Sequence, residues 1–197
     1  MTSLYNFPQV MGIDFETANG KRESVCQIGL TLIRHGEEVK TFSTLLKPPA
    51  EFGDFWWKNT QVHGIRAYQV INAPEWPKLF RKLQESLDRI TADSPLVFAA
   101  HNASFDKGVF LKVSEYYNLP RVNIQWVDTL KTSRRVFPDL DRHRLSNVAL
   151  RLGFDDVSRH HDAGWDSEIT AAMAFKYGNS EDFLKETVKR RRNKRQR

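Results

Sequence analysis

Asp14 and Glu16 stand two positions apart in the stretch PQVMGIDFET. This stretch alternates as a strand does, with Met11, Ile13 and Phe15 on one side and Val10, Gly12, Asp14 and Glu16 on the other. Both carboxylates therefore leave the same face, with Cα atoms roughly 6.6 Å apart. Two like charges closing an apolar strand repel each other unless a cation or solvent relieves them, so the pair reads as a metal-binding face. A single carboxylate there would read only as a solvated strand end. HNASFDKGVF sets Asp106 in the first turn of a helix, with Asn102 or Ser104 available as its cap. A first-turn Asp alone does no more than complement the helix dipole, and Asp106 gains meaning only beside the others. In HDAGWDSEITAAMAFKY, Asp166 shares a helical stripe with Ile169, Thr170, Met173 and Tyr177. A charge heading an apolar face needs a partner: either the helix dipole or a divalent ion shared with the strand carboxylates. His161 lies five residues before Asp166 and suits a base that must be neutral near pH 7. Spacing alone leaves His160, His101, His143 and His63 as rivals.

These residue types define the chemistry further. Carboxylates without thiols or a histidine-rich cluster favour hard, oxygen-loving ions such as Mg²⁺ or Mn²⁺ over zinc, and such ions pair naturally with phosphate. Two of them about 3.5–4 Å apart can activate a water and stabilise the leaving oxygen of an in-line displacement, which needs no protein nucleophile. The chain has no Gly-x-x-x-x-Gly-Lys phosphate loop and no Gly-x-Ser-x-Gly elbow, so neither a P-loop NTPase nor a serine hydrolase is signalled.

The elements that must position these side chains follow from patterning. After the first strand, SVCQIGLTLIRHG and EEVKTFSTLLKP read as an antiparallel hairpin turning around Gly36. Residues 48–64 hold prolines, glycines and the aromatics Phe52, Phe55, Trp56 and Trp57 without periodicity, and read as a long loop. Leu79, Phe80, Leu83 and Leu87 are spaced for a helix over 75–90, PLVFAAH for a buried strand, SFDKGVFLKVSEYY for a helix and NIQWVDT for a strand. HRLSNVALRLGF and WDSEITAAMAFKYG give two more helices, closing at Gly153 and Gly178. A three-strand meander followed by βαβ units implies an α/β domain with a mixed sheet flanked by helices.

At 197 residues and 40% hydrophobic content the chain is sized for one domain, expected over residues 1–180, with a basic tail over 181–197. The net charge of +6 is concentrated in that tail: KRRRNKRQR, residues 189–197, carries seven of the thirty Lys and Arg. The rest holds 23 basic and 24 acidic side chains, so the body is not a generally basic nucleic-acid binder. The tail itself, unable to pack, is suited to non-specific contact with nucleic acid. The single cysteine, Cys26, sits in an apolar run and reads as a buried structural thiol in a reduced compartment. No stretch is long and apolar enough to span a bilayer, and no secretory leader is apparent, so no membrane partner and a soluble, cytoplasmic protein are expected.

The motifs DFET, HNASFD and HHDAGWD, in that order across residues 14–166, resemble those of the DEDD exonucleases of the histidine subtype. HGI at 63–65, VDTL at 127–130 and HRLSNVALRLGF at 143–154 look like further segments of the bacterial relatives of the DNA polymerase III epsilon proofreading subunit. The resemblance implies a ribonuclease-H-like fold with a mixed five-stranded sheet. It implies a 3′–5′ exonuclease that releases nucleoside 5′-monophosphates using two divalent ions, Mg²⁺ or Mn²⁺. Asp14, Glu16 and Asp166 would hold one ion and Asp14, with Asp106 acting through water, the other. His161 rather than His160 matches the family's His-x-x-x-x-Asp spacing and would take the proton from the attacking water. Phe15, Thr17, His63 and Asn102 would contact the terminal nucleotide. DNA is favoured over RNA as substrate, with an exoribonuclease trimming RNA ends as the alternative, and a DNA polymerase is a candidate partner. A reading from another class is a non-catalytic nucleic-acid-binding partner of a polymerase or repair complex, against which the intact five-residue set argues. Gly164 and Trp165 stand where relatives carry small or aliphatic residues, which bears on how the His161 loop closes.

Overall fold

In the computed structural model, which describes residues 7–35 and 37–184, five strands form one mixed sheet in the order β3-β2-β1-β4-β5. β1 (Gln9–Thr17), β2 (Val25–Arg34) and β3 (Glu37–Leu45) make the antiparallel meander. β4 (Leu96–Ala100) and β5 (Gln125–Asp128) add to it in parallel. The mixed five-stranded sheet expected from the sequence is thus present. Gly36, expected at the hairpin turn, lies outside the described residues, as does the basic run from Lys189.

β1 is central and buried on both faces, so its period of two sorts residues between two cores rather than between core and water. Met11, Ile13 and Phe15 enter a core shared with α3 (Trp76–Thr91) and α4 (Ser104–Tyr116), where Trp76, Phe80, Phe98, Phe110 and Trp126 pack edge-on or tilted. Val10 on the other face packs with Ala171 and Ala174 of α7 (Ala163–Tyr177). α5 (Thr129–Val136) and α6 (Leu145–Leu152) cover the outer side of α7.

Gly12 and Gly29 explain how close α7 comes to the sheet. A Cβ on Gly12 would stand 2.0 Å from the Ser167 carbonyl oxygen, and one on Gly29 would stand 1.8 Å from that of Ala163. Both neighbours are backbone, so only glycine permits this approach. α7 runs antiparallel to β1: Ala174 lies with Val10, Ser167 and Ala171 lie over Gly12, and the helix start reaches the strand end. Four residues of helix rise about 6 Å and two residues of strand about 6.6 Å, so the two elements keep step.

Three expectations are corrected. The loop read over 48–64 contains a short 3₁₀ turn, Ala50–Phe52, and the helix α1 (Trp57–His63), followed by the one-turn α2 (Ala67–Val70). α1 has no buried residue; it is pinned by Asn59, whose Nδ2 donates to the Thr17 carbonyl at 2.9 Å, and hydrophobic spacing cannot register such an anchor. α5 follows β5 directly, with Asp128 as its cap accepting from Leu130 N, where the sequence reading placed no helix. Neither Asn102 nor Ser104 caps α4: Ala103 occupies that position, while Asn102 takes a left-handed φ of 68° and accepts a hydrogen bond from Ser104 Oγ.

At the other end, Asp182 is buried in an ion pair with Arg135, Phe183 bridges to Val127, and Leu184 N donates to the Trp126 carbonyl. Packing against β5 and α5 therefore extends through Leu184. Cys26 is fully buried with Ala18, Ile65 and Val70. Among the described residues no helix is long and apolar enough to cross a membrane.

Candidate active site

β1 runs beyond its partner β4, whose register ends at Gly12, so from Asp14 onward one edge of β1 is free of strand pairing. Asp106 occupies that edge: its Oδ1 accepts from the Phe15 amide at 3.2 Å, between the two strand carboxylates. The antiparallel step of α7 brings Asp166 to the same place from the opposite layer. Asp14, Glu16 and Asp166 each direct a carboxylate oxygen into a group whose members all lie within 4.8 Å of one another. Residues from a strand and from a helix 150 positions later thus meet at one face.

Burial and mutual repulsion both act against ionisation of these acids. Burial pushes the Asp14 carboxyl well above its ordinary range, and Asp106, Asp166, Glu16 and Asp162 raise it further. Burial and then Asp166, Asp106 and Asp162 push Glu16 up to about 8. Asp106 is raised to about 8 by burial, although the Phe15 amide works in the opposite direction. Asp14 Oδ2 is buried and has no hydrogen-bond partner among the described residues. A buried acceptor without a donor, in a group of all-oxygen ligands, fits a hard divalent cation.

His160 and His161 form the adjoining wall, their rings stacked at 3.8 Å between centroids. His160 Nδ1 lies 3.0 Å from Asp166 Oδ1, and the His161 amide donates to Asp166 Oδ2 at 3.1 Å. His161 makes that second bond from a left-handed φ of 75°, an uncommon conformation for a non-glycine residue that costs about 1–3 kcal/mol. Burial and the His160 ring hold the His161 imidazole below its ordinary pKa, with Asp166 opposing. Asp162 caps α7 by accepting from Trp165 N, which fixes the helix start next to the pair.

Asp14, Glu16, Asp166 and both histidines open on a cleft of about 480 Å³ whose wall also includes Arg144, Ser146 and His101, while Asp106 is buried behind it. A second cleft of about 480 Å³ lies on the other side of the histidine pair, lined by His63, Gly64, Gln69 and Arg159 among others. Arg144 and Ser146 come from the start of α6, and nothing in local spacing could mark them as cleft residues.

His63 lines the second cleft; its Nε2 is 3.3 Å from the Thr17 carbonyl, and burial lowers its pKa. Thr17 is 6% exposed and serves through its carbonyl as the anchor of α1. The Phe15 ring is 3% exposed and packs on Trp76, so it belongs to the core rather than the cleft wall, because odd positions of β1 face α3 and α4. Asn102 is exposed, donates its amide to Asp128 Oδ1, and lines neither cleft.

A family model described as an exonuclease, RNase T, matches residues 11–174. The chain is 28% identical over 154 residues to a PolC-type DNA polymerase III of Bacillus cereus, covering 78% of this chain and 10% of that protein. It is 30% identical over 150 residues to the PolC-type enzyme of Streptococcus sanguinis, again 10% of that protein. The chain therefore spans about a tenth of the length of these relatives. Among solved structures, the nuclease domain of 3′hExo, a DEDDh family member bound to rAMP, matches with a TM-score of 0.66 at 21% identity, covering 85% of this chain and 90% of that one. Exonuclease X in complex with 5′ overhanging duplex DNA matches at 0.58 and 24%, covering 83% and 87%. The fold is the ribonuclease-H-like one of these nucleases.

Proposed function

Because the chain belongs to the RNase T exonuclease family, we propose that it hydrolyses the terminal phosphodiester at the 3′ end of a DNA strand, releasing nucleoside 5′-monophosphates with two bound divalent ions, Mg²⁺ or Mn²⁺. The observation that carries this reading is the convergence of Asp14, Glu16 and Asp166 within 4.8 Å of one another, beside His161 on an open cleft. Asp14, Glu16 and Asp166 would hold one ion, and Asp14 with Asp106 would serve the other. When bound, the ions neutralise the carboxylates and stabilise the negative charge that grows on the phosphate oxygens.

The chain's own residues supply the rest. His161, neutral at pH 7, accepts a proton from the attacking water at a ring nitrogen. Water adds to phosphorus and the 3′ oxygen of the penultimate nucleotide leaves, so the phosphate remains on the released nucleotide. His160 and the His161 amide hold both oxygens of Asp166 and so orient the acidic ligand that comes from α7. Among the described residues Arg144 is the one Lys or Arg that lines the carboxylate cleft, and it would meet an entering phosphate. His63, anchored to Thr17 on the far side of the histidine pair, bounds the space for the terminal nucleotide. DNA is favoured because the PolC-type relatives named above are DNA polymerases, and for the same reason a polymerase is the favoured partner.

The test is release of mononucleotides from 5′-end-labelled DNA and RNA strands in Mg²⁺, Mn²⁺ or chelator. Stepwise shortening of DNA from its 3′ end, abolished by chelator and by Asp14→Asn, is the expected result. Preferential degradation of RNA would replace the DNA assignment, and release that persists in chelator would remove the metal-ion mechanism.

A further inference from the structure

We infer that His160, His161 and Asp166 form a second metal site, selective for a borderline-soft transition ion such as Zn²⁺, that silences the nuclease when filled. One ligand atom from each of the three lies within 4.8 Å of the others, a grouping distinct from that of Asp14 and Glu16 except for the shared Asp166. The 3.0 Å separation of His160 Nδ1 from Asp166 Oδ1 is close to the edge of a tetrahedral zinc site, about 3.3 Å for bonds of about 2.0–2.1 Å. Two imidazoles and one carboxylate leave a fourth position for water, the pattern of an open site. The ligand chemistry separates the two groupings: the all-oxygen set suits Mg²⁺ or Mn²⁺, whereas imidazole nitrogen draws zinc and its neighbours in the transition series. Access is not limiting, since both histidines line the clefts on either side of them.

Filling this site would stop turnover for two reasons, and this consequence rests on the exonuclease reading. The ion takes the ring lone pair with which His161 accepts a proton. It also draws Asp166 away from the carboxylate pair that it shares with the catalytic ions. Binding itself depends on neither.

The experiment is calorimetric titration of Zn²⁺ into tag-free protein held in saturating Mg²⁺, for the wild type, His160→Asn and Glu16→Gln. One Zn²⁺ should bind the wild type. His160→Asn should weaken it by about tenfold or more, while Glu16→Gln, which touches only the all-oxygen group, should leave it within about threefold. Equal zinc affinity in wild type and His160→Asn, a loss in Glu16→Gln as large as that in His160→Asn, or no zinc binding to the wild type would each overturn the proposal. In parallel, zinc should suppress Mg²⁺-driven nucleotide release in the wild type at concentrations matching the calorimetric affinity. A protein that binds zinc as described but releases no nucleotides under any condition would disprove the exonuclease reading and leave the metal site standing.

Discussion

Glu16→Gln should stabilise the metal-free protein at alkaline pH while destroying its nuclease activity. The Glu16 carboxyl is pushed from an ordinary value of 4.5 to about 8 by burial and by Asp166, Asp106 and Asp162. Below about pH 4.5 the group is protonated in folded and unfolded chains alike and carries no penalty. As pH rises toward 8 the unfolded chain gives up this proton while the folded one keeps it, so stability falls by about 1.4 kcal/mol per pH unit. Across the interval the loss reaches on the order of 5 kcal/mol. Glutamine keeps the shape and removes the titration, but a buried amide short of partners costs about 1–3 kcal/mol, leaving a net gain of about 2–4 kcal/mol at pH 8.5. At about 2–4 °C per kcal/mol for a chain of this size, the melting temperature in chelator should rise by roughly 5–15 °C. At pH 4.5 the variant should be no more stable than the wild type. Added Mg²⁺ should stabilise the wild type more than the variant, because it binds the folded carboxylate group and not the unfolded chain. Calorimetric scans at the two pH values, with and without Mg²⁺, measure all of this. A variant no more stable than wild type at pH 8.5 in chelator, or a gap of equal size at both pH values, would refute the account of charge strain in the cluster.

His161→Ala should lower kcat by about 10²–10⁴-fold in single-turnover assays, whereas His160→Ala should do less and act mainly through the concentration of Mg²⁺ needed. Gly29→Ala should destabilise by about 1–3 kcal/mol or more in urea unfolding, because its methyl group meets the Ala163 backbone, and it should weaken Mg²⁺ binding by moving Asp166 off β1. Arg144→Ala should raise KM more than it lowers kcat and reduce the magnitude of the log-affinity versus log-salt slope on single-stranded DNA by about 0.7, the share of one phosphate contact. An unchanged slope would remove Arg144 from the phosphate path.

What could be read from the chain was whatever depends on exact periodicity. The two-residue step from Asp14 to Glu16 fixes their common face in any strand, and the three-to-four-residue step from Asp166 through Ile169, Thr170 and Met173 fixes a buried stripe in any helix; all four helix residues are buried. α5 escaped because it buries Thr129, Thr132 and Ser133, hydroxyls that satisfy themselves on nearby carbonyls and leave no apolar signature. α1 escaped because it is held by a side-chain amide on a strand carbonyl. Family position implies that Phe15 contacts the terminal nucleotide, yet strand alternation alone sends its ring to the core with Met11 and Ile13. Arg144 and Ser146 reach the cleft only through the packing of α6 on α7, a tertiary relation with no local trace.

The close seating of α7 on β1 also governs the order of events as the chain is made. Synthesis delivers Asp14 and Glu16 first and Asp166 only 150 positions after Glu16. At about 5–20 residues per second, roughly 10–30 s of translation separates the two halves of the carboxylate group. The meander can pair early through contacts near in sequence, but the last wall of the cleft is a long-range contact that forms late. A nascent or truncated chain lacking α7 therefore carries the strand carboxylates without Asp166, and under the proposed mechanism it stays inactive until the whole fold has closed.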